Sequence, residues 1–217
     1  MDIDVFTGLG PGRLVVDSAT DARAVLWLGH GAGGGIDALD LAALAETLPA
    51  AGVTVVRYEQ PWRVAGRKVA PRPAALDVGW LAAAPHVAQI ADGRPLVVGG
   101  RSAGARVACR TAQEVAAVGV VCLAFPLHPP GKPERSRIDE LLMPSVPRLV
   151  LQGERDTFGT ADDVRAALSG APAADVRVTA VPGADHSMKV LKSSPVDATA
   201  VARLVVDEVR TFVESLD

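Results

Sequence analysis

Short apolar runs separated by helix-length segments recur along this chain, and that alternation limits its possible folds more than any other feature. Runs at 24–30 (AVLWLGH), 53–58 (VTVVRY), 95–100 (PLVVGG), 118–125 (VGVVCLAF), 147–153 (PRLVLQG) and 176–181 (VRVTAV) read as strands, with a shorter one at 13–17 (RLVVD). The run at 24–30 is continuously apolar, as expected of a strand covered on both faces. Residues 37–51 carry Leu39, Leu41, Leu44 and Leu48 at helical spacing and stop at Gly52, which reads as a helix with a glycine end. Further helices are expected over 76–91, 103–116, 161–169 and 197–215. Strands alternating with helices imply βαβ units, hence a mainly parallel sheet with helices on both faces. The connection from 125 to 147 is the exception, because Pro126, Pro129, Pro130, Pro133, Pro144 and Pro147 deny it a long regular helix.

In such sheets ligands bind beyond the carboxyl ends of the strands, so the residues just after each strand carry the most information. They read HGAGGG after 24–30, RSAG after 95–100, FPLHPPGK after 118–125, GERDTFG after 147–153 and PGADHSMK after 176–181. Gly100-Arg101-Ser102-Ala103-Gly104 is a G-x-S-x-G pattern. A serine at such a place also caps helices. Here, however, the pattern directly follows an apolar strand and directly precedes a helix, the context a nucleophile elbow requires. Glycines at 100 and 104 remove side chains where strand and helix must approach closely.

A serine hydroxyl needs a base, and the base needs an orienting acid. In this sheet type they follow the nucleophile in the order acid, then histidine. Of the four histidines, His186 alone follows both Ser102 and an acid-bearing strand end. Asp156 is the favoured acid by placement, with Glu154, Asp162, Asp163 and Asp185 as nearby rivals. Attack on a carbonyl creates an oxyanion that needs preorganised donors. Ala103 N–H, at a helix N-terminus, is one candidate; the HGAGGG loop should give the second, first from Ala32 and next from Gly33. That loop is no phosphate cradle, since neither G-x-x-x-x-G-K-[ST] nor G-x-G-x-x-G is present. His30 is expected to brace the loop.

With HGAGGG, GGRSAGARVA, LQGERDTFG and GADHSMK in that order, the sequence resembles the α/β-hydrolase superfamily. VVRYEQPW, PLHPPGKPE and GERDTFG look like hallmarks of the small capless bacterial hydrolases related to testis-expressed protein 30 and to subunit 3 of the non-specific lethal complex. This resemblance covers about residues 24 to 190. That group's usual R-F-E-F-P-Y run stands here as Arg57-Tyr58-Glu59-Gln60-Pro61-Trp62, a departure that bears on the pocket wall. Dienelactone-hydrolase-like enzymes are more distant relatives whose nucleophile is a cysteine. The resemblance implies an α/β-hydrolase fold without a cap domain. It leaves the substrate open, and some relatives serve in complexes.

At 217 residues, 49% of them hydrophobic, the chain suits one domain over 1–217. A formal net charge of -3 gives no general case for nucleic acid or membrane partners. No apolar run reaches the roughly 18 residues of a spanning helix, and MDIDVFTGLG has no leader-like pattern. Cys109 and Cys122 lack metal or redox spacing, which suits buried thiols in a cytoplasmic protein. The His and Asp residues show no zinc-like spacing, and no cofactor is expected. Residues 57–72 hold five cations against Glu59, a local net charge of +4. That segment either attracts an anionic substrate or partner, or is simply a solvated loop. Arg101 and His128 are the expected substrate-binding side chains, although His128 could equally brace its own loop. Trp62 and Trp80 are expected to pack. The resulting expectation is a serine hydrolase for a small ester or thioester, acting through Ser102, His186 and Asp156 in a shallow pocket. An interaction subunit with weak catalysis and an acyltransferase on the same triad are the alternatives.

Overall fold

The computed structural model describes residues 1–171 and 175–216. Eight strands form one sheet: β1 (Asp2–Thr7), β2 (Gly10–Asp17), β3 (Ala24–Gly29), β4 (Val53–Glu59), β5 (Leu96–Arg101), β6 (Gly119–Leu123), β7 (Arg148–Gly153) and β8 (Val176–Val181). Their order across the sheet is β1-β2-β4-β3-β5-β6-β7-β8. Strands β3 to β8 run parallel, and the β1–β2 hairpin adds on antiparallel beside β4. The helices are α1 (Leu39–Thr47), α2 (Pro61–Val64), α3 (Pro73–Ala91), α4 (Ala103–Thr111), α5 (Ile138–Leu142), α6 (Ala161–Leu168) and α7 (Ala198–Glu214). Among the described residues there is no separate cap.

The parallel strands send successive side chains to opposite faces, and both faces are covered. In β3, Val25 and Trp27 join one core cluster, with Trp80 of α3 and Val107 of α4. Ala24, Leu26 and Leu28 join the other, with Leu41 and Leu44 of α1 and Val205 and Val209 of α7. Trp27 and Trp80 stack face to face with centroids 3.6 Å apart, which makes them packing residues.

Strand β2 begins earlier than expected, at Gly10, and α4 ends earlier, at Thr111; three further differences from the sequence reading have a physical reason. Strand β1 was not anticipated; its only apolar members are Ile3, Val5 and Phe6, and Val5 alone is buried. Helix α3 begins at Pro73, earlier than expected, because proline is comfortable in the first helical turn where no N–H bond is needed. The stretch 37–51 divides into α1 and a 3-10 turn over Leu48–Ala51, with Pro49 at the junction. The proline-rich connection does lack a long helix and holds only the five-residue α5.

Candidate active site

Ser102 stands at the turn from β5 into α4 with φ 50° and ψ -108°, a conformation a residue with a side chain adopts only under constraint. The constraint is visible on both sides. Its N–H extends the sheet ladder by donating to the Leu123 carbonyl at 2.9 Å, and its own carbonyl accepts the Arg106 N–H at 3.2 Å to open α4. A Cβ on Gly100 or Gly104 would collide with the Gly29 carbonyl oxygen. The two glycines of the motif therefore let helix and strand close to backbone contact, and that closeness fixes the serine.

His186 reaches the serine from the loop after β8. Its Nε2 lies 2.9 Å from Ser102 Oγ, and its Nδ1 lies 2.8 and 3.0 Å from the two oxygens of Asp156. Asp156, in the loop after β7, is 3% exposed. The Phe158 N–H donates to one of its oxygens at 2.8 Å and the Gln152 amide to the other at 3.0 Å. The Phe158 ring stacks on the imidazole, centroids 4.0 Å apart. Neither Gln152 nor Phe158 was singled out in the sequence; a glutamine ending an otherwise apolar strand was the available signal.

The rival carboxylates have other partners. Glu154 accepts from the Gly183 N–H, and Asp185 accepts from the Ser187 and Lys189 N–H groups of its own loop. Asp162 pairs with Arg165. Asp163 caps α6 with Thr160, and the Thr160 N–H holds its carboxyl below the usual range.

Ala103, Ala32 and Gly33 line the cleft over Ser102. Among the described residues their amides donate to no protein acceptor. Ala103 is the first residue of α4, where the helix presents unsatisfied N–H groups and positive dipole. His30 supports the loop from beneath. Its Nε2 accepts the Gln60 N–H at 3.1 Å, so its Nδ1 carries the proton and donates to the Gly31 carbonyl at 2.8 Å. Burial lowers its pKa, which favours this neutral, structural form.

The two expected substrate contacts are both engaged by the protein itself, although Arg101 lines the cleft. Arg101 is buried, pairs with Asp40 at 3.1 Å and donates to the His186 carbonyl at 2.6 Å. Its guanidinium is thus committed to tying α1 to the histidine loop. Burial raises the Asp40 carboxyl, outweighing the adjacent Arg101 charge. His128 is absent from the cleft lining; its Nδ1 lies 3.0 Å from the Pro129 carbonyl, so it braces its own loop. The cleft itself has a volume of about 750 Å³, within the range of small-molecule sites. No group of three or more His, Cys, Asp or Glu side chains suited to a metal ion occurs among the described residues. No helix among them is long and apolar enough to cross a membrane.

Comparison with known proteins agrees with this architecture. Residues 22–214 match the model of an alpha/beta hydrolase domain family. No curated protein matches the chain. Among solved structures, an alpha-beta serine hydrolase homologue from Coxiella burnetii is similar at TM-score 0.76 and 16% identity, over 95% of this chain and 96% of that one. XC6422 from Xanthomonas campestris, described as an α/β serine hydrolase without a lid, gives 0.75 and 18% over 98% and 94%. Est1E from Butyrivibrio proteoclasticus gives 0.72 and 14% over 99% and 98%. At these identities the likeness is one of fold.

Proposed function

Because this chain belongs to the alpha/beta hydrolase domain family, we propose that it is a serine hydrolase cleaving a small ester or thioester through Ser102, His186 and Asp156. The observation that carries this reading is the unbroken chain of contacts, Ser102 Oγ to His186 Nε2 at 2.9 Å and His186 Nδ1 to Asp156 at 2.8 Å. Asp156 accepts a hydrogen bond from Nδ1–H, which leaves Nε2 as the acceptor facing the serine hydroxyl. As Ser102 Oγ attacks the carbonyl carbon, its proton passes to Nε2, and the carboxylate stabilises the imidazolium. The carbonyl oxygen, now anionic, takes hydrogen bonds from the free N–H groups of Ala103 and Ala32. The imidazolium then protonates the leaving alcohol or thiol, giving an acyl-serine. Water, deprotonated by His186, releases the acid and restores Ser102.

Structural neighbours described as serine hydrolases and esterases support the chemistry at the level of class. The unlinked, buried Cys109 and Cys122 suit a cytoplasmic setting. In a panel of short-chain 4-nitrophenyl esters and acyl thioesters, wild-type turnover is expected, with Ser102→Ala lowering kcat on the order of 10⁶-fold. Turnover that survives the substitution would remove the serine from the mechanism.

A further inference from the structure

The rim of the cleft carries cations that the protein itself does not neutralise. Of the five cations in 57–72, Arg57 is occupied: it pairs with Asp17 at 3.1 Å and donates to the Ile36 carbonyl at 3.1 Å. Arg63, from α2, faces the cleft instead. Its Nε and Nη2 lie 3.7 and 3.8 Å from where a Cβ on Gly35 would stand, so the guanidinium lies along the end of the oxyanion loop. Among the described residues no carboxylate comes within ion-pair distance of it. Across the cleft, Arg137 donates to the Pro126 carbonyl at 2.8 Å and likewise has no carboxylate partner among the described residues. Burial first, then the nearby Arg106 charge, lowers its pKa, while Glu140, beyond ion-pair distance, acts to raise it. Lys189 is a third cation on the rim. Two further arginines of the lining are already matched, Arg101 by Asp40 and Arg106 by Glu140. Asp37 is the one carboxylate on the lining among the described residues, and it is almost fully exposed.

Arg63 follows β4 and Arg137 follows β6, on opposite sides of β5 and its serine in the sheet order. We propose that the substrate bears an anionic group besides its scissile carbonyl, a carboxylate or a phosphoryl group, and that Arg63 and Arg137 hold it. This rests on the serine-hydrolase reading of the same cleft. A guanidinium pair gives an anion charge-assisted, directional hydrogen bonds, and the local field draws it in against a net acidic surface. A neutral ester gains neither effect.

The subsite is tested by binding to Ser102→Ala, which needs no turnover. Calorimetric titration would compare monomethyl glutarate with neutral dimethyl glutarate, and methyl 4-phosphonobutanoate would tell carboxylate from phosphoryl preference. At least one anion should bind about tenfold or more tightly than the diester. Raised sodium chloride should shrink the difference, and Arg63→Gln with Arg137→Gln should abolish it. Arg137→Lys should retain part of it, because the charge remains while the fork is lost. Equal binding of anions and diester, or a difference that survives both glutamine substitutions in folded protein, overturns the proposal. With wild type, 4-nitrophenyl half-esters of glutarate should outpace neutral esters of the same length. Failure of the hydrolase reading would abolish turnover of every ester while leaving the binding difference intact.

Discussion

The floor of the cleft and its rim are built on opposite plans. On the floor nearly every polar group is held by another: Ser102 by the sheet ladder and α4, His186 by Asp156, Asp156 by Gln152 and the Phe158 amide, and His30 by Gln60 and Gly31. On the rim, Arg63 and Lys189 project without carboxylate partners among the described residues. Among the described residues, the amides of Ala103, Ala32 and Gly33 on the floor are left without protein acceptors, and there an oxyanion could be held. Preorganisation favours groups that must act at one geometry. Unpaired, half-exposed charge favours recognition, since a partner ion must come from the ligand. The difference thus separates the part of the site suited to bond-making from the part suited to selection.

Perturbing the floor should have the largest effects. Asp156→Asn keeps the shape of the acid but presents an amide to Nδ1, which favours the wrong tautomer; kcat should fall on the order of 10⁴-fold. Circular dichroism should remain unchanged, and a loss of fold instead would assign Asp156 to structure. Gly104→Ala tests whether the floor depends on backbone contact. The added methyl meets the Gly29 carbonyl, so urea unfolding should show a loss of about 3 kcal/mol. A neutral result would mean that the elbow tolerates separation.

A third test lies behind the rim, where Glu140 bridges Arg106 and Arg110. Burial acts to raise the Glu140 carboxyl, but hydrogen bonds and charge from Arg106 and Arg110 outweigh it, and its pKa is lowered. A lowered folded value stabilises the protein above the unfolded carboxyl range and is lost as pH falls through the folded one. Wild type should therefore exceed Glu140→Gln by about 1 kcal/mol at neutral pH. The gap should hold above roughly pH 5 and close in more acid solution. Thermal unfolding across pH reads this, and a gap independent of pH would assign the effect to packing.

How legible each region was in the sequence follows from the same division. Ser102 could be read because its motif is local, an apolar strand, a glycine-flanked serine and a helix in immediate succession. His186 followed from chain order. Placement favoured Asp156 over its rivals, and its contact with His186, with Glu154 and Asp185 engaged by other amides, is visible only in the tertiary structure. Arg63 belongs to the cationic 57–72 segment, whose charge was its local signal, whereas Arg137 carries none; both line one cleft because the sheet order places β4 and β6 on either side of β5. The ion pair of Arg101, adjacent to Ser102 in sequence, was hidden for the converse reason, because its partner Asp40 lies 61 positions away. The proposed reacting groups lie in local motifs, whereas the proposed recognition rests on contacts that only the sheet brings together.

The most direct test of an activated Ser102 is covalent labelling with a small fluorophosphonate, read by intact-protein and peptide mass spectrometry in wild type, Ser102→Ala and His186→Ala. It requires an activated serine and no knowledge of the substrate. The expected result is a single adduct on Ser102 in wild type, none in Ser102→Ala and strongly slowed labelling in His186→Ala. Folded wild type that remains unlabelled, or that labels at another residue, would contradict the account.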